Sequence, residues 1–540
     1  MSTCFKKNND TMNIPIQTIP CGGIAMMCMA CFLPPVHLYM DSLYLPKHYL
    51  FLCGLSVCLM SFPLAASRCG VVAVLDRCLR FFMFVFPLVA AFECLYVFFD
   101  VMLNGINEAG ASGSFDNPSG LALSLCVALP VLAMSGMKWH GKGWRWLCAL
   151  WCAALVLVVL LTKSRTGLIC VVMYVLAYVV RMERIMIKSA ALRKIVCGGT
   201  VAMLLTSVIL FASSRKTDST SGRCFILRQT CRLVKERPLA GWGTGGFERE
   251  YMLRQADFFR HDKQSEYAML ADDVQHPLNE YMFLWVEYGI AGPLALLFYV
   301  VFVVWCGYRH DSIRGTGLPL ALLAVAVFCM FSYPSHYQTS WLVVVMSVAA
   351  MLMILPARRT GGQMCALKKI SGVAVFIGGV ATLTYVSIDS FQELRWRRAY
   401  MASVHGKHDE ALEMYENACG YFKDDRRFLY SYALAAFMAD DMDRALEKIK
   451  MCGRCWNGYD RELLAGDICL NKCLYEDALR HYSMAADMCP VRFAPLEGMY
   501  RAYDKQNQVQ RRDSVAKVIA EKQVKVNSPD VERIKNLCGE

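Results

Sequence analysis

The sequence predicts an all-α protein in two parts, a polytopic bundle of about eleven transmembrane helices followed by a helical repeat stack in water. Three observations carry this. Of 540 residues, 56% are hydrophobic and 19% charged, with a mean hydropathy of +0.34, where soluble domains run near one half and one quarter. Apolar runs of about 17 to 25 residues with few charges, each able to cross a bilayer as a helix, recur up to residue 390. Beyond that point the chain becomes charged and repeats itself every 33 or 34 residues. The expected domains are therefore 1–390, polytopic with a large loop at 213–286, and 391–540.

The runs fall at 20–40, 48–67, 81–103, 119–136, 145–162, 166–181, 195–212, 287–307, 317–333, 340–356 and 370–388. Pro34 and Pro35 break the first, and the sixth is short; proline is tolerated in membrane helices when neighbours re-satisfy the freed backbone groups. Residues 1–20 contain Asn, Asp and Gln and lack a continuous apolar core, so no signal peptide is expected. Many of the 26 cysteines, such as Cys53, Cys58 and Cys126, lie inside the runs and read as small buried hydrophobes.

A formal charge of +12 in a soluble chain would suggest nucleic acid, but in a membrane protein such an excess orients loops. With Lys6 and Lys7 in the cytoplasm, the same side collects Arg68, Arg77 and Arg80, then Lys138, Lys142 and Arg145. It also collects five basic residues between Arg181 and Lys194, then Arg309 and Arg314, then Arg358, Arg359, Lys368 and Lys369. The opposite short loops hold only Lys47, Lys163 and Arg165. The expectation is a cytoplasmic N-terminus, an external C-terminal domain and no nucleic-acid partner. Lys163 and Arg165 then need a separate reason.

One reason lies in Lys163-Ser164-Arg165-Thr166-Gly167, at the external mouth of the fifth and sixth runs. A guanidinium grips phosphate with two parallel hydrogen bonds and keeps its charge at any working pH. Ser164 and Thr166 can cap the following helix, whose N-terminus adds partial positive charge. The plainer alternative, Arg165 snorkelling to the interface, stays open at this point.

The large loop holds Ser221-Gly222-Arg223, followed by Arg228 and Arg232, which read as a solvated helix face. Its glycine-rich run, Gly241-Trp242-Gly243-Thr244-Gly245-Gly246-Phe247, should turn the chain sharply; it lacks the Lys-Ser/Thr ending of a nucleotide loop. His276-Pro277-Leu278-Asn279-Glu280-Tyr281 then leads to Glu287-Tyr288-Gly289-Ile290-Ala291-Gly292 at the head of the eighth run. His276 can serve as a base near neutral pH, and a carboxylate beside a bilayer is functional by default. A hydrogen-bonded structural histidine and a packing carboxylate are the alternatives. Glu93 sits in an apolar run with no evident basic partner.

In the C-terminal part Ala411, Ala445 and Ala478 mark the period. Ala399, Ala433 and Gly466 lie twelve residues before them, and Tyr415, Ile449 and Tyr482 four after. Ala418, Cys452 and Ala485 follow by seven, and Pro490 closes the third unit. Positions four and seven apart share a helix face, so each unit reads as two amphipathic helices crossing at small residues. The pattern resembles the tetratricopeptide repeat, with three clear units and a degenerate fourth, and such stacks are mostly binding surfaces.

The order of motifs carries a second resemblance. Gly113-Ser114-Phe115-Asp116-Asn117-Pro118, then Ser164-Arg165-Thr166-Gly167, Ser221-Gly222-Arg223, the glycine-rich run, Asn279, Glu287-x-Gly289-x-x-Gly292 and Tyr333-Pro334 together resemble the bacterial O-antigen ligase superfamily. That superfamily includes O-antigen ligases, Wzy-type polymerases and protein O-oligosaccharyltransferases. The resemblance spans roughly residues 110–340. It implies a fold similar to class C glycosyltransferases, in the bacterial inner membrane, working at the periplasmic face without metal or other cofactor. A glycan would pass from an undecaprenyl diphosphate carrier to a hydroxyl acceptor, placed first as the lipid A core, with another glycan or a protein as alternatives. By the resemblance Arg165 and Arg223 bind the diphosphate, His276 and Glu287 are catalytic, and Asn279 and His336 are accessory. The repeats would recruit periplasmic proteins.

One departure stands out. The superfamily places His immediately before Asn, and here Leu278 fills that position, with His276 two residues upstream and His336 as a substitute on the same side. Two readings of another class also remain open. A transporter of a lipid-linked anionic substrate would call for charges at mid-bilayer and related halves; a membrane-anchored scaffold would leave the loop motifs without a task.

Overall fold

The computed structural model describes residues 16–106, 110–138, 141–186, 217–263, 265–354 and 362–537, and every regular element among these is helical. Among the described residues six helices are long and apolar enough to cross a membrane: Tyr44–Cys69, Val71–Asn104, Pro118–Met137, Lys142–Leu161, Ala291–Arg309 and Ser371–Val404. Shorter apolar helices at Ile16–Cys31, Arg165–Tyr178, Leu318–Cys329 and Gln338–Leu352 match further expected spans. The run at 195–212 lies outside the described residues. The eighth span differs from expectation: Gly289, at φ 65°, separates the helix Glu280–Tyr288 from the membrane helix that begins at Ala291. Glu287 thus ends a short preceding helix and lies outside the span.

Chain contacts define two compact units. The first joins Met1–Ala212, Tyr299–Phe328 and Pro334–Phe391; the second joins Ser213–Phe298, Cys329–Tyr333 and Gln392–Glu540. The second therefore unites the large loop with the repeats.

In the first unit helices close on small residues, as membrane packing favours. A Cβ on Gly23 or on Gly54 would lie 2.5 Å from the other's carbonyl oxygen. The connections expected on one side gather at one end. Lys47 Nζ donates to the Ser114 carbonyl (2.7 Å), and Ala111 N–H to the Leu161 carbonyl (3.1 Å). Tyr44 stacks on His336 at 4.6 Å, and Tyr49 donates to Asp389 (2.7 Å). On the intervening side of the same helices, Arg77 donates to Gln17 Oε1 (3.0 Å).

In the second unit the predicted period becomes stacked helix pairs from the end of Gly362–Val404 to Val509–Glu521. Ala399, Ala411, Ala433, Ala445, Cys452, Ala478 and Ala485 are fully buried, as small residues at crossings should be. A Cβ at Gly466 or Gly498 would meet the Tyr482 ring at 2.5 or 2.4 Å, so two glycines sandwich this ring and extend the repeat into the fourth unit. The loop helices Thr217–Glu236, Gly246–His261 and Glu280–Tyr288 share a core with the repeats. Leu233, Phe247, Tyr251, Met252 and Val286 pack in one cluster with Tyr459, Ala485 and Met488. Gln255, fully buried, donates to the Met488 carbonyl (2.7 Å) and the Asp272 carbonyl (2.9 Å). Arg426 pairs with Glu248 at 2.9 Å on the rim of this core.

Candidate functional site

The glycine-rich run is built against the segment that carries Glu287. Trp242 N–H donates to the Val286 carbonyl (2.7 Å), Gly243 N–H to the Glu287 carbonyl (2.9 Å) and Ile290 N–H to the Pro238 carbonyl (3.0 Å). Two backbones can approach this closely only without side chains between them. A Cβ on Gly289 would lie 1.9 Å from the Leu239 carbonyl oxygen, and one on Gly241 would lie 2.4 Å from that of Glu287. Gly241, Gly243, Gly245 and Gly289 all have positive φ.

Glu287 is 4% exposed, and its Oε1 accepts the Gly245 N–H (2.9 Å) at the cap of the helix Gly246–His261. The carboxylate thereby serves donors left unpaired at a helix start. Burial pushes its pKa up to about 7; the Gly245 and Phe247 N–H groups and Arg249 pull the other way, and the charge on Glu248 adds to the rise. Its geometry is that of a clamp on the glycine-rich turn.

Three other expected residues converge on the short segment Cys329–Tyr333 that follows a membrane helix. Arg223, on the helix Thr217–Glu236, donates from Nη1 to the Phe331 carbonyl (3.2 Å). Asn279 accepts the Met282 N–H through its side chain (3.0 Å), capping the helix Glu280–Tyr288, and donates from Nδ2 to the Met330 carbonyl (3.0 Å). The His276 ring meets Tyr333 edge-on at 5.4 Å and stacks on Phe283 at 4.8 Å.

His276 has a defined tautomer. Its Nδ1 accepts the Leu278 N–H (3.0 Å), so the proton of the neutral ring sits on Nε2, which faces Glu280 Oε2 at 3.6 Å. Both of those facing atoms are buried without a hydrogen bond. Leu278, in the position where the superfamily places histidine, adopts φ 55°, a left-handed conformation costly for a side chain with a Cβ. The bend at Pro277 and Leu278 is thus what returns the His276 ring toward the Asn279 helix. Glu280 is absent from the sequence candidates; the capping Asn279 immediately before it is the signal that marks a helix-start carboxylate there.

Arg228 and Arg232 are exposed on the helix face beyond Arg223, and Arg232 lies over the Phe258 ring at 5.6 Å. Cys224 and Cys231 on this helix are exposed free thiols.

Arg165 and His336 belong to the membrane unit. Arg165 opens the helix Arg165–Met186, where Ser164 Oγ accepts the Gly167 N–H (3.2 Å) as the cap. Lys163 turns the chain before it at φ 53°. Glu93 does have a basic neighbour: its Oε1 accepts the Ser114 N–H (2.8 Å) while Lys47 holds the carbonyl of the same residue. The carboxylate and the ammonium bracket Ser114, a pairing that residues 46 apart in sequence could not reveal.

Residues 148–298 match the family model described as O-antigen ligase, a stretch that contains Arg165, Arg223, His276, Asn279 and Glu287. Among solved structures, the crystal structure of yeast Tom70 aligns with 92% of this chain and 95% of that chain at 8% identity, with a TM-score of 0.25. No curated protein matches the chain.

Proposed function

We propose that this protein is an O-antigen ligase-like glycosyltransferase of the bacterial inner membrane, moving a glycan from undecaprenyl diphosphate to a hydroxyl of the lipid A core at the periplasmic face. The observation that carries the reading is the family match over 148–298, which encloses both arginines and the residues gathered on Cys329–Tyr333. The N-terminus is cytoplasmic and the repeats periplasmic in this reading, following the basic residues of the loops.

The acceptor oxygen attacks the anomeric carbon, the bond from that carbon to the diphosphate oxygen breaks, and the hydroxyl proton goes to a base. Arg165 and Arg223 neutralise the charge gathering on the leaving diphosphate, a task for preorganised cations. His276 accepts the proton at Nδ1, the nitrogen now filled by the Leu278 N–H. Glu280 then stands beside the Nε2–H of the imidazolium as its counter-charge, the arrangement of a carboxylate-oriented base. Relaxation of the left-handed Leu278 frees Nδ1 for this step. Glu287, expected from the resemblance to be catalytic, acts in this reading by holding the glycine-rich turn, Asn279 by fixing the Cys329–Tyr333 segment.

A protein acceptor is the second reading, favoured by the single core that joins loop and repeats, since a macromolecule held by the stack is held by the unit that carries Arg223. Loss of the gene followed by lipopolysaccharide and glycoprotein profiling separates the two: loss of the O-antigen ladder supports the ligase, and loss of glycoprotein bands with the ladder intact supports the alternative. For the site, Arg165→Ala and Arg223→Ala should each abolish transfer while the protein still accumulates in the membrane. Normal transfer in both variants would remove the diphosphate assignment.

A further inference from the structure

The first unit contains a cavity of about 150 Å³ at the end where Lys47, the Gly113–Pro118 motif and His336 meet. Neither Arg165 nor Arg223 lines it. Its floor is aromatic, the nearly buried rings of Phe115 and Tyr337. Tyr44, stacked with His336 at 4.6 Å and with His48 at 5.3 Å, makes a wall of layered rings.

Its polar groups are held in place by their neighbours. Asp116 accepts the Tyr337 hydroxyl at Oδ1 (2.9 Å) and the Asn117 amide at Oδ2 (3.1 Å). A carboxylate has about four lone-pair sites, so each oxygen can take a second donor. Lys47 gives one of its three N–H donors to Ser114 and sits 4.2 Å from the centre of the Phe115 ring. Asp41 on the rim accepts the Leu43 and Tyr44 N–H groups through Oδ1 (3.0 and 2.8 Å).

Charge decides the class of ligand. Beside His336, two carboxylates stand against one ammonium in the lining, a balance that disfavours a phosphate or a uronate. Hydroxyl groups suit it, donating to the carboxylates and accepting from the ammonium, while the flat aromatic surface suits the apolar face of a ring. A cavity of about 150 Å³ is the size that admits one six-membered ring such as benzene, and not a chain.

We propose that this cavity is a subsite for one neutral pyranose ring, built by the Gly113–Pro118 motif. The proposal rests on the transferase reading and names a sugar contact for it. The ring belongs either to the donor glycan or to the acceptor glycan, and both share this chemistry.

The test uses the full-length protein in detergent, with saturation-transfer NMR to methyl glucoside, methyl N-acetylglucosaminide, glucuronate and pyrophosphate. The neutral glycosides should give signal. Asp116→Asn should cut it about tenfold, the worth of a charge-assisted hydrogen bond, and Tyr44→Ala should cut it several-fold by removing an aromatic wall, whereas Tyr44→Phe should keep it. Arg165→Ala should leave it unchanged. No signal from either glycoside, or equal signal in wild type and in Tyr44→Ala with unchanged melting temperature, overturns the subsite. Should Asp116→Asn fail to fold, the Tyr44 pair decides. In a transfer assay Tyr44→Ala should raise KM for one substrate alone, the donor or the acceptor, which identifies the source of the ring; unchanged KM for both overturns the proposal. Asp116-dependent sugar binding in a protein without transferase activity would leave the subsite standing and remove the functional reading instead.

Discussion

The membrane bundle and the unit that joins the loop to the repeats place polar groups in opposite ways. In the bundle, charge is scarce and linked: Glu93 and Lys47 take the two sides of Ser114, and Tyr337 ties Asp116 to Asn117. In the second unit, charge is abundant and mostly half-exposed, as in Arg492–Asp272 and Arg260–Asp487. Exposed pairs contribute about 0–1 kcal/mol each. The difference teaches where each unit is vulnerable: the bundle at a few buried polar residues, the second unit at the glycines that let backbones touch.

The largest effect should come from Gly289→Val. A Cβ there meets the Leu239 carbonyl oxygen at 1.9 Å, and φ is 65°. The turn that holds the glycine-rich run cannot close, and the loss should exceed about 4 kcal/mol, the range of core and backbone lesions. Thermal melting of the full chain reads it, with Arg492→Ala as the partner measurement expected below about 1 kcal/mol. Equal losses would erase the contrast between glycines and ion pairs in this unit.

Next is Glu93→Leu in the bundle. It strips the acceptor from the buried Ser114 N–H and takes one carboxylate away from the buried Lys47, leaving Asp116 as its acidic neighbour, a cost of about 3 kcal/mol, the upper end for an unsatisfied buried donor. Adding Lys47→Met should recover part of the loss; a double variant no better than the single one would show that the two charges do not act together. Gly466→Ala should cost less, about 1–3 kcal/mol for overpacking against the Tyr482 ring, because a repeat stack can shift by a few tenths of an ångström.

Legibility in the sequence follows the same division. Apolar length announces membrane helices, because each must satisfy its own backbone within one continuous segment. The repeats announce themselves because small residues recur where helices cross, at Ala411, Ala445 and Ala478. The core shared by Phe247, Val286, Tyr459 and Met488 has no such signature: it joins segments some 200 residues apart that have no common period. Individual site residues were visible as chemistry, yet their roles depended on backbone detail. Leu278 turning left-handed gives His276 its tautomer, and Gly289 ending a helix moves Glu287 out of the membrane span.

The smallest effect, and the one that decides a role, belongs to Glu287→Gln. Burial raises the folded-state pKa of Glu287 to about 7 from an ordinary 4.5. The folded protein therefore binds this proton more tightly than the unfolded chain does, so the group favours folding most below pH 4.5, and that contribution is lost as pH rises to about 7. Glutamine keeps a carbonyl oxygen for the Gly245 N–H and does not titrate. The difference in stability between the two proteins should thus change between pH 4.5 and 7 and be flat above 7, where the glutamine form should be at least as stable. If Glu287 only clamps the turn, transfer at pH 8 should stay within about tenfold of wild type, whereas losing a general acid or base costs about 10²–10⁴-fold. A loss of that larger size, in a protein that melts normally, would return Glu287 to the chemical step and leave the glycine-rich turn as its support.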